Sequence, residues 1–179
     1  MKKVLITGAS KGIGFELAKE FARKNHALYL LARDTKKLKK IKTEIKKINP
    51  SLPCYILTFD LSELNNIKKL ISNIKNRFGT IDIIIHIAGG GLGLKKPLLK
   101  SFEITKLLQL NLLSIVELNR LAIEHKKKSK SLKLIHVGSI TSYEGVGSVG
   151  YNTAKAALAA YVRSLGREVY KENIIVTGI

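Results

Sequence analysis

Thr7-Gly8-Ala9-Ser10-Lys11-Gly12-Ile13-Gly14 is the stretch on which the reading of this chain turns. It follows the apolar run Val4 to Ile6, which reads as a buried strand, and opens a segment, Gly12 to Lys24, in which Ile13, Leu17 and Phe21 share one helical face. A strand that breaks into a glycine-rich turn and then a helix leaves unpaired backbone amides at the helix N-terminus, where an anion is stabilised. The Gly-x-x-x-Gly-x-Gly spacing supplies a tight turn, close approach of backbone to a pyrophosphate, and close packing of helix on strand. In this strand-turn-helix context Gly8, Ser10, Lys11, Gly12, Ile13 and Gly14 are candidate ligands of a dinucleotide.

Beyond this unit the same alternation continues. Ala27 to Ala32 is a continuous apolar run of the kind buried on both faces of a parallel sheet. Thr35 to Ile48 is an amphipathic helix with Leu38, Ile41, Ile45 and Ile48 on one face and lysines on the solvated one. Cys54 to Phe59 is a third strand, Ser62 is placed to cap a helix carrying Ile67, Leu70, Ile71 and Ile74, and Ile81 to Ile87 is a fourth strand. The loop Gly89-Gly90-Gly91-Leu92-Gly93 follows at its tip. A helix from about Phe102 to Glu124, a basic loop His125 to Ser131, a strand Leu132 to Val137, a helix over Tyr151 to Tyr170 and a strand Ile174 to Thr177 complete the chain. Strands alternating with helices of this length predict right-handed crossovers. The expected fold is α/β: a doubly wound parallel sheet, the Rossmann fold, in three α/β/α layers with about six strands. Such a sheet binds ligands at the carboxyl ends of its strands where strand order reverses, here between the first and fourth.

Length alone argues for one domain over residues 1–179. The single Cys54 cannot form an intramolecular disulfide, the N-terminal apolar run is too short for a signal peptide, and no segment approaches the roughly 18 apolar residues of a membrane span. The expectation is a cytoplasmic protein without membrane insertion. A net charge of +19 favours phosphates in general, but the lysines are spread over nearly every predicted helix and no nucleic-acid signature accompanies them, so no specific nucleic-acid partner is expected.

Two further features carry chemistry. About 20 residues past a dinucleotide loop an acidic residue usually takes the adenosine ribose hydroxyls. Here Ala32 stands in that place, Arg33 follows it, and a guanidinium grips a 2′-phosphate that a carboxylate repels. This argues for NADP over NAD, although Asp34 is close enough in sequence to pair with Arg33 instead. Tyr151 and Lys155, four residues apart, lie on one helix face, where the ammonium favours the phenolate and makes the tyrosine a competent acid or base. Ser139, twelve residues earlier at a strand end, has a hydroxyl for a carbonyl or alcohol oxygen, or for capping the next turn. Asn111 is equally open to a structural role, satisfying buried backbone.

Taken together and in this order, these motifs resemble the short-chain dehydrogenase/reductase family, and the resemblance runs from Val4 to Ile179. It implies an NADP(H)-dependent oxidoreductase interconverting a carbonyl and a secondary alcohol. By resemblance Tyr151 donates the proton, Lys155 holds the nicotinamide ribose, Ser139 orients the substrate oxygen and Asn111 sustains a water-linked proton relay. Asp60 and Leu61 match the segment beside the adenine, and Ala88-Gly89 match the end of an Asn-Asn-Ala-Gly motif beside the cofactor. No metal is implied. The resemblance also suggests a homodimer through the helices containing Asn111 and Tyr151, with Leu107, Leu108, Leu112, Ala156, Ala160 and Leu165 contributing.

The sequence departs from that pattern in two places. His86 and Ile87 replace the two asparagines, and His86, with no orienting partner identifiable in the sequence, is read as structural. Family members continue past the sixth strand into a substrate-covering segment and a seventh strand, which this sequence lacks, so a catalytically inactive dinucleotide-binding or partner-binding relative is the alternative expectation.

Overall fold

Six apolar runs become six parallel strands: β1 (Lys3–Thr7), β2 (Ala27–Ala32), β3 (Cys54–Thr58), β4 (Ile83–His86), β5 (Leu132–His136) and β6 (Ile174–Gly178), in the order β3-β2-β1-β4-β5-β6. The computed structural model describes residues 1–64 and 67–179. Helices α1 (Gly12–Arg23), α2 (Thr35–Ile48), α3 (Ile67–Phe78), α4 (Ser101–Leu108), α5 (Ser114–Glu124), α6 (Thr141–Glu144) and α7 (Val149–Val169) connect or follow the strands. The architecture is the expected doubly wound Rossmann sheet with helices on both faces.

The period of two along each strand divides the core. Val4, Ile6, Leu28, Leu30 and Ile85 meet Ala18, Ala22, Leu38 and Ile45 of α1 and α2 on one face. Leu5, Tyr29, Leu31, Ile84 and Leu134 meet Leu70, Ile74, Leu118 and Leu121 of α3 and α5 on the other. A smaller cluster of Ile115, Leu158 and Val162 joins α5 to α7. At the strand-order reversal Thr7 pairs with His86, and the chain leaves β1 and β4 toward opposite layers, which opens a crevice above their carboxyl ends.

Several boundaries differ from the sequence reading. β4 starts at Ile83 because the Asp82 carboxylate takes the Lys3 amide at 2.8 Å, and it stops at His86 because the amides of Ile87 and Ala88 turn to the Thr7 hydroxyl at 3.1 and 3.2 Å. The helix expected over Phe102 to Glu124 is two α-helices joined by a π turn, Gln109–Leu113. The last helix starts at Val149 and gives way to a 3₁₀ turn at Tyr170, and α6 has no counterpart in the sequence reading. Ser62, expected to cap α3, instead donates its hydroxyl to the Asp60 carboxylate at 2.7 Å, and α3 starts at Ile67; residues 65–66 between them lie outside the described residues. Among the described residues no helix is long and apolar enough to cross a membrane.

Candidate active site

The glycine loop is shaped by backbone contacts. Gly8 sits at φ +69° with its α-carbon against the backbone just past β4: a β-carbon there would lie 2.7 Å from the Ala88 nitrogen. Gly14 lets α1 rest on the loop, since a β-carbon would come within 2.5 Å of the Gly8 carbonyl oxygen. Gly12, at φ +53°, is the opposite case, with open space where its side chain would be. Lys11 at the N-cap makes no side-chain bond to the helix and no acidic residue occupies the first turn. The first-turn amides of α1 therefore face a groove of about 840 Å³ lined by Gly8, Ser10, Lys11, Gly12 and Ile13. Arg33, Asp60, Leu61, Ala88 and Gly89 line the same groove, so the structure brings together all the sequence-derived cofactor residues except Gly14, Tyr151 and Lys155 along its wall.

At the β2 end the sequence left open whether Asp34 neutralises Arg33. The Asp34 carboxylate accepts the Lys37 amide at 3.0 Å as the N-cap of α2 and pairs with the Lys37 ammonium at 3.5 Å, and the Lys37 backbone bond holds its carboxyl below the usual range. Arg33 is exposed on the groove, and among the described residues no carboxylate is paired with it. Lys37 lines the groove as well, a residue the sequence reading passed over as part of a solvated lysine face. Asp60 turns its carboxylate back onto the Ser62 amide at 3.0 Å.

The wall at the β4 end is held by two buried side chains. The Thr7 hydroxyl accepts both the Ile87 and Ala88 amides, which fixes the strand end against the loop. Asn111, fully buried, accepts the Gly90 amide at 2.9 Å and donates to the Gly90 carbonyl at 3.1 Å and the Leu107 carbonyl at 2.9 Å. The π turn explains the last bond, because an i→i+5 pattern frees a carbonyl that the amide then satisfies. The structural alternative weighed for Asn111 is thus the arrangement observed.

Tyr151 and Lys155 project from the first turns of α7. Gly150 lets that helix approach Leu107, Leu99 and Ile104 closely. The Lys155 ammonium donates to the Val137 carbonyl at 2.8 Å and lies 5.9 Å from the Tyr151 ring centroid, with burial pushing its pKa down. It also stands 3.7 Å from where a Gly89 β-carbon would be, which ties the pair to the groove wall. Ser139 accepts the Thr141 amide at 3.3 Å and shares a hydrogen with the Thr141 hydroxyl at 2.8 Å, the turn-capping alternative. It lines a cavity of about 430 Å³ with Ile140, Leu158 and Val162, whereas the sequence reading placed it in the same crevice as the cofactor; the residues lining this cavity and those lining the groove do not overlap.

The sequence reading found no partner for His86. The structure supplies one: His86 Nε2 lies 2.8 Å from Asn119 Oδ1, and its ring stacks on His136 at 4.7 Å and 11°. Asn119, His136 and Thr7 were all missed. His136 sits inside an apolar run, Thr7 closes one and Asn119 lies among charged helix residues; one such polar letter carries no signal until a neighbouring strand or helix brings its partner. Of the residues proposed for a dimer face, Leu107 is fully buried beneath Gly150 and is withdrawn. Ala156 and Ala160 are exposed, Leu108, Leu112 and Leu165 half-buried, and Phe102, Leu113 and Val149 add exposed apolar surface on the same helices.

A family model for short chain dehydrogenases matches residues 2–179. Carbonyl reductase family member 4 of Xenopus laevis is 30% identical over 178 residues, which cover 98% of this chain and 73% of that protein. The crystal structure of L-sorbose reductase from Gluconobacter frateurii, complexed with NADPH and L-sorbose, superimposes with a TM-score of 0.91 at 25% identity, covering 99% of this chain and 67% of that one. An NADH-dependent reductase complexed with NAD superimposes with a TM-score of 0.87 at 27% identity, covering 97% of this chain and 74% of its own. With the family match spanning all but the first residue, the chain belongs to the short-chain dehydrogenase family of nicotinamide-dependent oxidoreductases.

Proposed function

We propose that residues 1–179 form one dinucleotide-binding domain of an NADP(H)-dependent oxidoreductase that interconverts a carbonyl and a secondary alcohol. The observation that carries the reading is the position of Lys155, whose buried ammonium adjoins Gly89 on the groove wall and the Tyr151 ring on its own helix. Space over Gly12 and the uncapped amides of α1 fit a pyrophosphate, so Gly8, Ser10, Lys11, Gly12, Ile13 and Gly14 would hold that part of the cofactor. Asp60, Leu61, Ala88 and Gly89 would flank its remainder. The bound nicotinamide supplies the hydride or accepts it.

The protein's own residues handle the proton. Tyr151 gives it to the substrate oxygen, and the nearby Lys155 opposes the charge left on the phenol while bonding the ribose. Ser139 orients the substrate oxygen by exchanging its Thr141 partner for it. The Asn111 side chain is spent on Gly90 and Leu107, which favours a role in holding the wall over a proton relay. Arg33, unpaired with Asp34, supports a 2′-phosphate and hence NADP(H). The exposed apolar residues of α4, the π turn and α7 support a homodimer.

The Ser139 to Thr141 bond favours the second reading, a relative that binds dinucleotide without turnover. One experiment separates the two: NADPH and NADH titrations followed by nucleotide fluorescence, then turnover on a panel of ketones with wild type and Tyr151→Phe. Binding with turnover that falls by 10²-fold or more in the variant supports the enzyme. Binding without turnover on any ketone leaves the second reading, and no binding of either nucleotide overturns the dinucleotide site and leaves only a partner-binding relative.

A further inference from the structure

Beneath the site, between the sheet and helices α5 and α7, four side chains close a polar network. His136 Nδ1 lies 3.1 Å from the Thr177 carbonyl, which can only accept, so that nitrogen carries the proton. In the neutral ring Nε2 is then bare, and it takes the Asn119 Nδ2 donor at 3.0 Å; the same amide reaches the Tyr161 hydroxyl at 3.3 Å. Asn119 therefore turns Oδ1 to His86, whose Nε2 donates at 2.8 Å. Both rings are buried, and His86 Nδ1 has no partner among the described residues. The network permits one protonation pattern.

A proton added to His86 Nδ1 would be a buried charge with no acceptor beside it. A proton added to His136 Nε2 would face the Asn119 donor. Groups facing the pair from the other elements offer no relief: α7 contributes the Lys155 ammonium and the Tyr161 phenol, α5 the uncharged Asn119, β6 a carbonyl and β1 the Thr7 hydroxyl. Burial and the Lys155 charge both disfavour an imidazolium here.

The pair is joined to the site through backbone. The His86 carbonyl accepts the Val137 amide at 3.0 Å, and the Val137 carbonyl holds the Lys155 ammonium. Ala88 and Gly89, two and three residues past His86, line the groove. We propose that His86, Asn119 and His136 are positioning residues for Lys155 and for the Ala88–Gly89 wall, and that they act as an uncharged, Asn-bridged unit. The proposal rests on the dinucleotide site read above.

The test uses wild type and Asn119→Asp, which keeps the shape but replaces the Nδ2 donor with an acceptor facing His136 Nε2. Histidine ¹⁵N spectra of ligand-free protein at pH 7.5 are expected to show neutral rings in wild type, Nε2–H on His86 and Nδ1–H on His136, and an imidazolium at His136 in the variant. Exchange of the Val137 amide is expected to accelerate at least tenfold in the variant, and NADPH affinity to fall at least tenfold. His86→Asn is the second variant: a shorter amide in that place, expected to remain folded and to weaken NADPH less than Asn119→Asp does. Unchanged spectra and unchanged Val137 exchange in Asn119→Asp overturn the proposal, as does nucleotide affinity within twofold of wild type despite an imidazolium. If wild type binds neither nucleotide, the site reading fails, and the ligand-free spectra and exchange still decide whether the unit holds Val137.

Discussion

Asn111 and Gly90 bond each other twice, the side-chain carbonyl taking the Gly90 amide at 2.9 Å and the side-chain amide reaching back to the Gly90 carbonyl at 3.1 Å. Asn111→Asp keeps the first bond and loses both donors, leaving the Gly90 and Leu107 carbonyls without them and a carboxylate buried. Each orphaned buried group costs about 1–3 kcal/mol, so the variant is expected to be at least about 2 kcal/mol less stable than wild type. Urea unfolding followed by circular dichroism checks this, and a midpoint equal to wild type would show that the reciprocal bonds are not formed.

Gly14→Ala places a methyl 2.5 Å from the Gly8 carbonyl, an atom of the backbone that cannot rotate away. Overpacking of this kind costs about 1–3 kcal/mol. The loop must shift away from α1, so NADPH affinity is expected to drop along with the melting temperature. Gly12→Ala meets open space but a φ of +53°, and is expected to impair nucleotide binding more than stability.

Arg33→Ala is expected to weaken NADPH by tenfold or more while leaving NADH within about twofold, since a charge-assisted bond to phosphate is worth about 1.5–3 kcal/mol. Lys37→Ala should have a smaller effect in the same direction, because its ammonium is shared with Asp34. Equal losses for both nucleotides would show that Arg33 supports the groove without reading a 2′-phosphate.

Acid is expected to destabilise the fold in a defined window. Burial pushes His136 down from 6.5 to about 4, and His86 well below its usual value. Between pH 6.5 and 4 the unfolded chain binds protons at these positions and the folded chain does not, so stability is complete above pH 6.5 and falls as pH drops toward 4. The His136 contribution amounts to about 2–3 kcal/mol by pH 4. Melting temperatures from pH 7.5 to 4.5 should show this slope in wild type and a shallower one in His136→Asn; parallel curves would show that another group sets the acid limit.

The homodimer is tested on its own surface. Wild type is expected to sediment as a dimer at micromolar concentration, and Leu113→Lys with Ala160→Glu as a monomer, both positions being exposed in one chain. A monomeric wild type removes the dimer.

The local patterns of this sequence determined the elements and their order. Apolar runs broken by Gly8 and Asp60, lysine-faced helices such as Thr35 to Ile48, and the spacing of Tyr151 and Lys155 are all signals carried within a few residues. They were enough for the sheet and for most of the groove. What the tertiary structure decided depends on residues far apart in the chain. Asn111 became a clamp on Gly90 only because a π turn carries it to the tip of β4. Asp34 turned to Lys37 and left Arg33 on the groove, although the sequence permitted either pairing. Ser139 went to Thr141 through the unanticipated helix α6. His86, with no partner visible in the sequence, met His136 because β4 and β5 are neighbours in register, and Asn119 because α5 crosses both. A buried polar side chain is defined by the partner that satisfies it, and that partner is chosen by packing rather than by sequence distance.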